Sequence, residues 1–403
     1  MNPPGAAPRV LTRTRKLAFA ALTTVLALVV IEGAARVYSA VRFRNSQALT
    51  YGVRFLGHAL EGSATPPRAA TTDLPGEQAG DELFDHRANP DLVLASRPPM
   101  DVMIDGHPAH FNNLGLRGRD IDVADPTQRR IALFGGSDTF GAYLEDDETW
   151  AHLLESRLQA AGLPVEVLNA AANGHTINDV LRSVIELTHS VKVQYLVVTS
   201  AYNNRHLLAM ERRYTFARRA DWYLYNLSVF HVMLKEKLAL MQRHPIDYGL
   251  YRQRIRVDAA AVASWIGMYR RRLEQMATVS REQHATLILC TQGGVFQDAR
   301  LNALSTLDDS EVNAIGQRID RGEEVWLSEL EYFMQGTQNL ALQQFARASP
   351  GVLFFDGAGV LHSDKARYFL DPVHPGPHGA AKLADALVAF FVPLLKGVQT
   401  LAG

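Results

Sequence analysis

The chain has 403 residues, 47% of them hydrophobic and 21% charged, with a formal net charge of -1. That length buries one large core or two ordinary ones, and near-neutrality argues against a whole-molecule nucleic-acid surface. The single cysteine, Cys290, has no intrachain disulfide partner, and its apolar run Thr286–Cys290 reads as a strand with a buried structural thiol.

At the N-terminus Arg9, Arg13, Arg15 and Lys16 precede an uncharged apolar run from Leu17 to Ile31, after which come Glu32, Gly33, Ala34, Ala35 and Arg36. A bilayer span needs about 20 apolar residues. Glu32 and Arg36 are therefore expected at the far interface, where long side chains reach water. Residues 1–16 read as a cytoplasmic tail and residues 17–38 as an uncleaved transmembrane signal anchor. The alternative is a cleaved signal peptide with its site at Gly33-Ala34-Ala35. No cysteine follows the run, which excludes a lipoprotein anchor. Residues 39–95, rich in Pro, Ala, Thr and Gly between Glu61 and Gly80, read as a linker.

The body, residues 96–398, alternates strands and helices. Ile131–Phe134 is a short buried strand ending at Gly135-Gly136. Asp146 or Asp147 is expected to cap a helix with Trp150, Leu153, Leu154 and Leu158 on one face, stopped by Gly162 and Pro164. Further strands are expected at 165–168, 195–199, 286–290 and 352–355, with a helix at about Ile177–Leu187. A final helix starts near Gly379 and buries Leu383, Leu387 and Phe390. The alternation predicts an α/β three-layer sandwich around a parallel five-stranded sheet.

Residues 205–285 form a helical insertion too long for a simple crossover. It carries fifteen Lys/Arg against seven Asp/Glu and interleaved aromatics, including Trp222, Tyr223, Phe230, Trp265 and Tyr269. It reads either as a patch facing an anionic polymer or lipid headgroups, or as a solvated insertion whose aromatics pack onto the body.

The chemistry concentrates at strand ends. In Phe134-Gly135-Gly136-Ser137-Asp138-Thr139-Phe140-Gly141 a serine follows the first strand, at the edge where open α/β sheets bind ligands. It stands just before a helix, whose backbone N–H groups suit an oxyanion. No Gly-Lys-Ser/Thr follows, so the segment is not a P-loop. Thr139 occupies the place where a nucleophile elbow needs its second glycine.

Near the C-terminus stands Asp371-Pro372-Val373-His374-Pro375-Gly376-Pro377-His378. A histidine three residues after an aspartate lets the carboxylate take one ring nitrogen and leaves the other for the serine. A metal site of Asp371, His374 and His378 is the alternative. Pro375 and Pro377 break the helix that would give both histidines a common face, so no metal or cofactor is called for.

Together these segments resemble the four blocks of the SGNH/GDSL hydrolases across about residues 128–395. Gly135-Gly136-Ser137 matches the first block, with Gly136 where the family has aspartate. Asn169-Ala170-Ala171-Ala172-Asn173-Gly174 matches the second, Ala201-Tyr202-Asn203-Asn204 the third, and Asp371-Pro372-Val373-His374 the last. The resemblance implies a flavodoxin-like sheet, with Ser137 as nucleophile, His374 as its base and Asp371 orienting His374. The oxyanion hole would be the N–H groups of Ser137 and Gly174 with the side-chain amide of Asn203, or of Asn204 instead. Phe111–Gly118 and Asp146–Trp150 look like the membrane-anchored bacterial branch of the family, some of whose members modify acyl groups on cell-surface polysaccharides. That likeness implies an esterase or deacylase, hydrolysing an O-acyl ester of an envelope carbohydrate from the outer face of a bacterial inner membrane. An acyltransferase using the same serine, and a catalytically silent binding or scaffold protein of polysaccharide assembly, are the alternatives.

Overall fold

The computed structural model describes residues 12–42, 100–104, 107–125, 128–199, 202–204, 224, 228–231, 233–234 and 253–397. The expected linker lies almost wholly outside these residues, as do most of the 1–16 tail and the first part of the 205–285 insertion. The chain divides into two compact units, Met1–Ala64 with Phe216–Arg243, and Thr65–Thr215 with His244–Gly403.

In the first unit, helix α1 (Arg13–Arg42) contains a stretch, Thr14–Tyr38, long and apolar enough to cross a membrane. Leu17, Phe19, Leu22, Leu26 and Val29 on it are all exposed. The helix runs through Glu32 without a break, and Arg36 pairs with Glu32 one turn earlier at 2.7 Å.

The second unit is the α/β body. It opens with an antiparallel hairpin of β1 (Met100–Ile104) and β2 (His107–Phe111). Then come β3 (Arg129–Phe134), a one-turn α2 (Ser137–Phe140), α3 (Trp150–Ala160), β4 (Val165–Asn169), α4 (Ile177–Ser190) and β5 (Tyr195–Val198). After a short β6 (Arg254–Arg256) come α5 (Ala259–Glu282), β7 (Thr286–Cys290), α6 (Ala299–Ala303), α7 (Asp309–Asp320), β8 (Glu324–Trp326) and α8 (Leu327–Ala348). The body closes with β9 (Leu353–Phe355), the one-turn helices α9 (Gly357–Val360) and α10 (Lys365–Tyr368), and α11 (Pro377–Leu395).

The parallel sheet runs β4-β3-β5-β7-β9, which is 2-1-3-4-5 by order along the chain, as in flavodoxin-like folds. Successive strand residues point to opposite faces. On β3, Ala132 and Phe134 enter the core with α4, α5 and α8, while Ile131 and Leu133 enter the core with α3 and α11. With both faces covered, the strands read as unbroken apolar runs.

Three local expectations are corrected. Thr149, not Asp146 or Asp147, caps α3, its hydroxyl accepting the His152 N–H. The Asp146 carboxylate is taken by the His110 N–H and by Arg117. On α11 the fully buried aromatic is Phe391 rather than Phe390. Ala380 and Ala384 are also buried there and turn the stripe toward Phe391, which sits eight residues beyond Leu383. Finally, 205–285 is not one element: its last part is α5, the crossover before β7, and Trp265 and Tyr269 are core residues of the body at 0% and 2% exposure.

Candidate active site

The turns after β3, β4 and β5 converge where the strand order reverses, the point at which such sheets bind ligands. Ser137 follows β3 as the first residue of α2, Gly174 follows β4, and Asn203 sits in the 3-10 turn Tyr202–Asn204 after β5. His374 and Asp371 arrive from the loop before α11.

Directly after α10 that loop is closed on itself. Leu370 N–H donates to the His374 carbonyl at 2.9 Å and Gly376 N–H to the Tyr368 carbonyl at 2.8 Å. The Val295 N–H ties the Pro372 carbonyl to the segment after β7 at 2.8 Å. One Asp371 oxygen accepts the N–H groups of Val373 and His374; the other meets His374 Nδ1 at 2.6 Å. His374 Nε2 lies 2.7 Å from Ser137 Oγ. Burial opposes ionisation of Asp371, but the hydrogen bond and charge of His374, with the two backbone donors, outweigh it and hold the carboxyl below its usual range.

Tyr143 meets the His374 ring edge-on, centroids 5.0 Å apart. It is one of two non-glycine residues with positive φ among those described, at 68°, so its position is set by its surroundings and not by its own preference. The surroundings are a buried guanidinium. Arg117, 2% exposed in its side chain, donates to the carbonyls of Phe140, Gly141 and Leu144 and to Asp146. Its plane also lies 4.9 Å over the Phe140 ring. Arg117 thereby gathers the whole 140–144 loop.

Three groups are expected from the sequence as oxyanion donors: the N–H groups of Ser137 and Gly174 and the Asn203 amide. Neither the Ser137 nor the Gly174 backbone N–H has an acceptor among the described residues, and Gly174 takes φ 82°, a conformation that suits glycine. Asn203 Nδ2 donates one hydrogen to the His175 carbonyl at 3.1 Å. A Cβ on Gly136 would stand 2.8 Å from that same nitrogen. The absence of a side chain at 136 therefore makes room for the Asn203 amide. Asn204 is fully buried, its carbonyl accepting the Ile177 N–H at 2.7 Å and its amide meeting Gln338 Oε1. Both ends of Asn204 hold the turn, as does Gln292 Oε1, which accepts the Tyr202 N–H.

Thr139, which replaces the second glycine of a nucleophile elbow, is fully buried and hydrogen-bonded to Thr199 beyond β5. Asp138 is pushed above the usual carboxylate range by desolvation, against the opposing charge of His374 and hydrogen bonds from the Thr139 N–H and Gln292. His378 is exposed on the first turn of α11. Cys290 is buried on β7, where desolvation pushes its thiol up and keeps it protonated.

Reading the sequence missed Arg117 and Tyr143 as parts of the site, along with Gln292, Asp138 and His175. His175 is buried with neither ring nitrogen partnered among the described residues, and burial pushes it down to about 3. Of these, Arg117 and Asp138 carried a signal, as parts of the Phe111–Gly118 and Phe134–Gly141 stretches. A left-handed tyrosine announces nothing in sequence.

No family model matches the sequence, and no curated protein matches it. Solved structures that resemble the chain include a lipolytic protein of the G-D-S-L family from Desulfitobacterium hafniense, 12% identical, covering 65% of this chain and 99% of that one, with TM-score 0.36. An acetylxylan esterase from Geobacillus stearothermophilus is 15% identical, covering 65% and 93%, with TM-score 0.36. A psychrotrophic esterase from Pseudoalteromonas is 11% identical, covering 67% and 100%, with TM-score 0.39.

Proposed function

We propose that the chain is a membrane-anchored SGNH-type serine esterase that cleaves an O-acyl ester through Ser137, His374 and Asp371. The observation that carries this reading is the continuous hydrogen-bonded chain from Ser137 Oγ to His374 Nε2, 2.7 Å, and from His374 Nδ1 to Asp371 Oδ2, 2.6 Å. With Nδ1–H donating to the ionised Asp371, Nε2 carries the lone pair that takes the serine proton.

Ser137 Oγ then attacks the ester carbonyl carbon as its proton passes to Nε2. The carbonyl π pair moves onto oxygen, where the N–H groups of Ser137 and Gly174 and the second hydrogen of Asn203 Nδ2 receive it. Collapse expels the alcohol, which takes the proton from Nε2, and leaves an acyl-serine. Water, deprotonated by Nε2, repeats the sequence and releases the acid. Asn203 is favoured over Asn204 as donor because both ends of Asn204 are committed to the fold. Each oxyanion donor contributes about 2.7–4 kcal/mol.

The substrate we propose is an acylated envelope carbohydrate outside the bacterial inner membrane, on the strength of the sequence resemblance and the apolar α1. The test is labelling by a serine-directed phosphonate together with hydrolysis of a short-chain aryl ester. Ser137→Ala is expected to abolish labelling and to lower turnover by about four orders of magnitude or more. Equal behaviour of wild type and Ser137→Ala in both assays would falsify the triad.

A further inference from the structure

Glu32 is the lone acid in the apolar part of α1, and its partners come from the middle of the chain. Ser228 Oγ donates to it at 2.7 Å, Val229 N–H at 3.0 Å and Phe230 N–H at 3.1 Å. Arg36 Nε supplies a fourth hydrogen bond at 2.7 Å. Each carboxylate oxygen takes two donors: Oε1 those of Arg36 and Val229, Oε2 those of Ser228 and Phe230. A carboxylate offers about four acceptor positions, so this one is saturated without water.

The donors are satisfied too. The first N–H groups of the helical turn at 229–231 have no acceptor within the turn itself. Those of Val229 and Phe230 go to Glu32, and that of His231 goes to Ser228 Oγ at 3.0 Å. Ala35, one turn along from Glu32, and Val229 are both buried at 8% exposure, while the apolar residues before Glu32 stay open. A backbone and a carboxylate that complete each other in this way need no water, which suits the edge of an apolar layer.

The surrounding sequence has the make-up of a membrane interface. Trp222, Tyr223, Tyr225 and Phe230 are flanked by Arg218 and Arg219 before them and Lys235 and Lys237 after them. Leu224, Phe230 and Leu234 are exposed at 48%, 37% and 41%. The uncharged run Leu17–Ile31 spans about 22 Å as a helix, which puts Glu32 at the end of that run, at the level where aromatic and basic side chains collect.

We propose that the segment around Ser228–Leu234 is a second membrane-contacting element, locked to the N-terminal helix by Glu32, with Leu224, Phe230 and Leu234 facing the lipid of the same bilayer. The proposal rests on reading α1 as a membrane span. It makes Glu32 an assembly residue of the bilayer-bound unit and assigns the exposed Leu224, Phe230 and Leu234 to lipid.

The experiment uses the full chain in nanodiscs of phosphatidylethanolamine and phosphatidylglycerol. Single cysteines at Val29, Phe230 or Leu234, in a Cys290→Ala background, carry an environment-sensitive fluorophore. Brominated lipid is expected to quench all three sites, and aqueous iodide none. Glu32→Gln, which replaces one acceptor oxygen by a donor, is expected to make the Phe230 and Leu234 sites iodide-accessible and to leave Val29 lipid-quenched. Iodide quenching at Phe230 and Leu234 in the wild-type background, with Val29 still quenched by lipid, would overturn the docking and leave the anchor intact. Iodide quenching at Val29 would overturn the anchor and the docking with it. Lipid quenching at Phe230 unchanged by Glu32→Gln would overturn the lock. Thermal unfolding measured on each variant verifies that the α/β body is folded.

Discussion

A methyl group on Gly136 would come within 2.8 Å of Asn203 Nδ2 and 3.2 Å of the Asp138 carboxylate. Gly136→Ala is therefore expected to displace the Asn203 amide, the proposed oxyanion donor, while the sheet stays folded. Losing that donor lowers kcat by about 10²–10³-fold, measured by aryl-ester turnover beside an unchanged melting temperature. An unchanged kcat would remove Asn203 from the oxyanion hole. His175 makes a prediction of the opposite kind, on stability. Its folded pKa lies near 3 because burial disfavours the imidazolium, whereas the unfolded group titrates near the ordinary value of about 6.5. Between those values the unfolded state binds the extra proton, so stability rises with pH across the window and is lost on acidification. The slope from this one group approaches about 1.4 kcal/mol per pH unit. Urea unfolding from pH 4 to pH 7 is expected to flatten in His175→Phe; an identical pH dependence would show that His175 is not the source.

Arg117 shows how one loop element is held from another. Its guanidinium sits in the turn after β2, yet it binds carbonyls at Phe140, Gly141 and Leu144, and so shapes the loop that carries Tyr143 to His374. Arg117→Met removes the donor those carbonyls share and leaves the Leu144 carbonyl without it. Asn169 Nδ2 still reaches the Phe140 carbonyl, the Leu144 N–H that of Gly141, and the His110 N–H Asp146. The substitution is expected to cost about 1–3 kcal/mol, the range for leaving a buried acceptor short of its partner, read as a lowered urea midpoint. Tyr143→Ala separates the loop's shape from its contact with His374: stability is expected to change little while kcat falls and KM holds. If the two variants lose stability equally, the tyrosine is only a packing residue. The antiparallel hairpin of β1 and β2 was not anticipated, because neither strand carries a strict apolar alternation. The parallel strands were, because burial on both faces makes each an uninterrupted apolar run.

For the whole molecule, the apolar α1 predicts that the full chain stays with the membrane pellet after alkaline carbonate extraction. Release into the supernatant would exclude an uncleaved span and favour a processed leader. The same fractionation applied to Glu32→Gln is expected to leave the chain in the pellet, since α1 alone is long enough to hold it.

What the sequence determined by itself is what local periodicity and turn chemistry encode. That covers the five parallel strands, the apolar N-terminal helix, the glycine-flanked Ser137 at a strand end, and the spacing that puts Asp371 three residues before His374. Each depends on residues within about one turn or one strand of each other. Tertiary structure alone decided that both ends of the Asn204 side chain are spent on Ile177 and Gln338, that a tyrosine adopts a left-handed backbone against His374, and that Phe391 rather than Phe390 fills the core. It also supplied Glu32 with partners 196 residues away. Those outcomes turn on which hydrogen-bonding groups and surfaces meet when distant segments converge. A one-dimensional pattern records the groups but not their meeting.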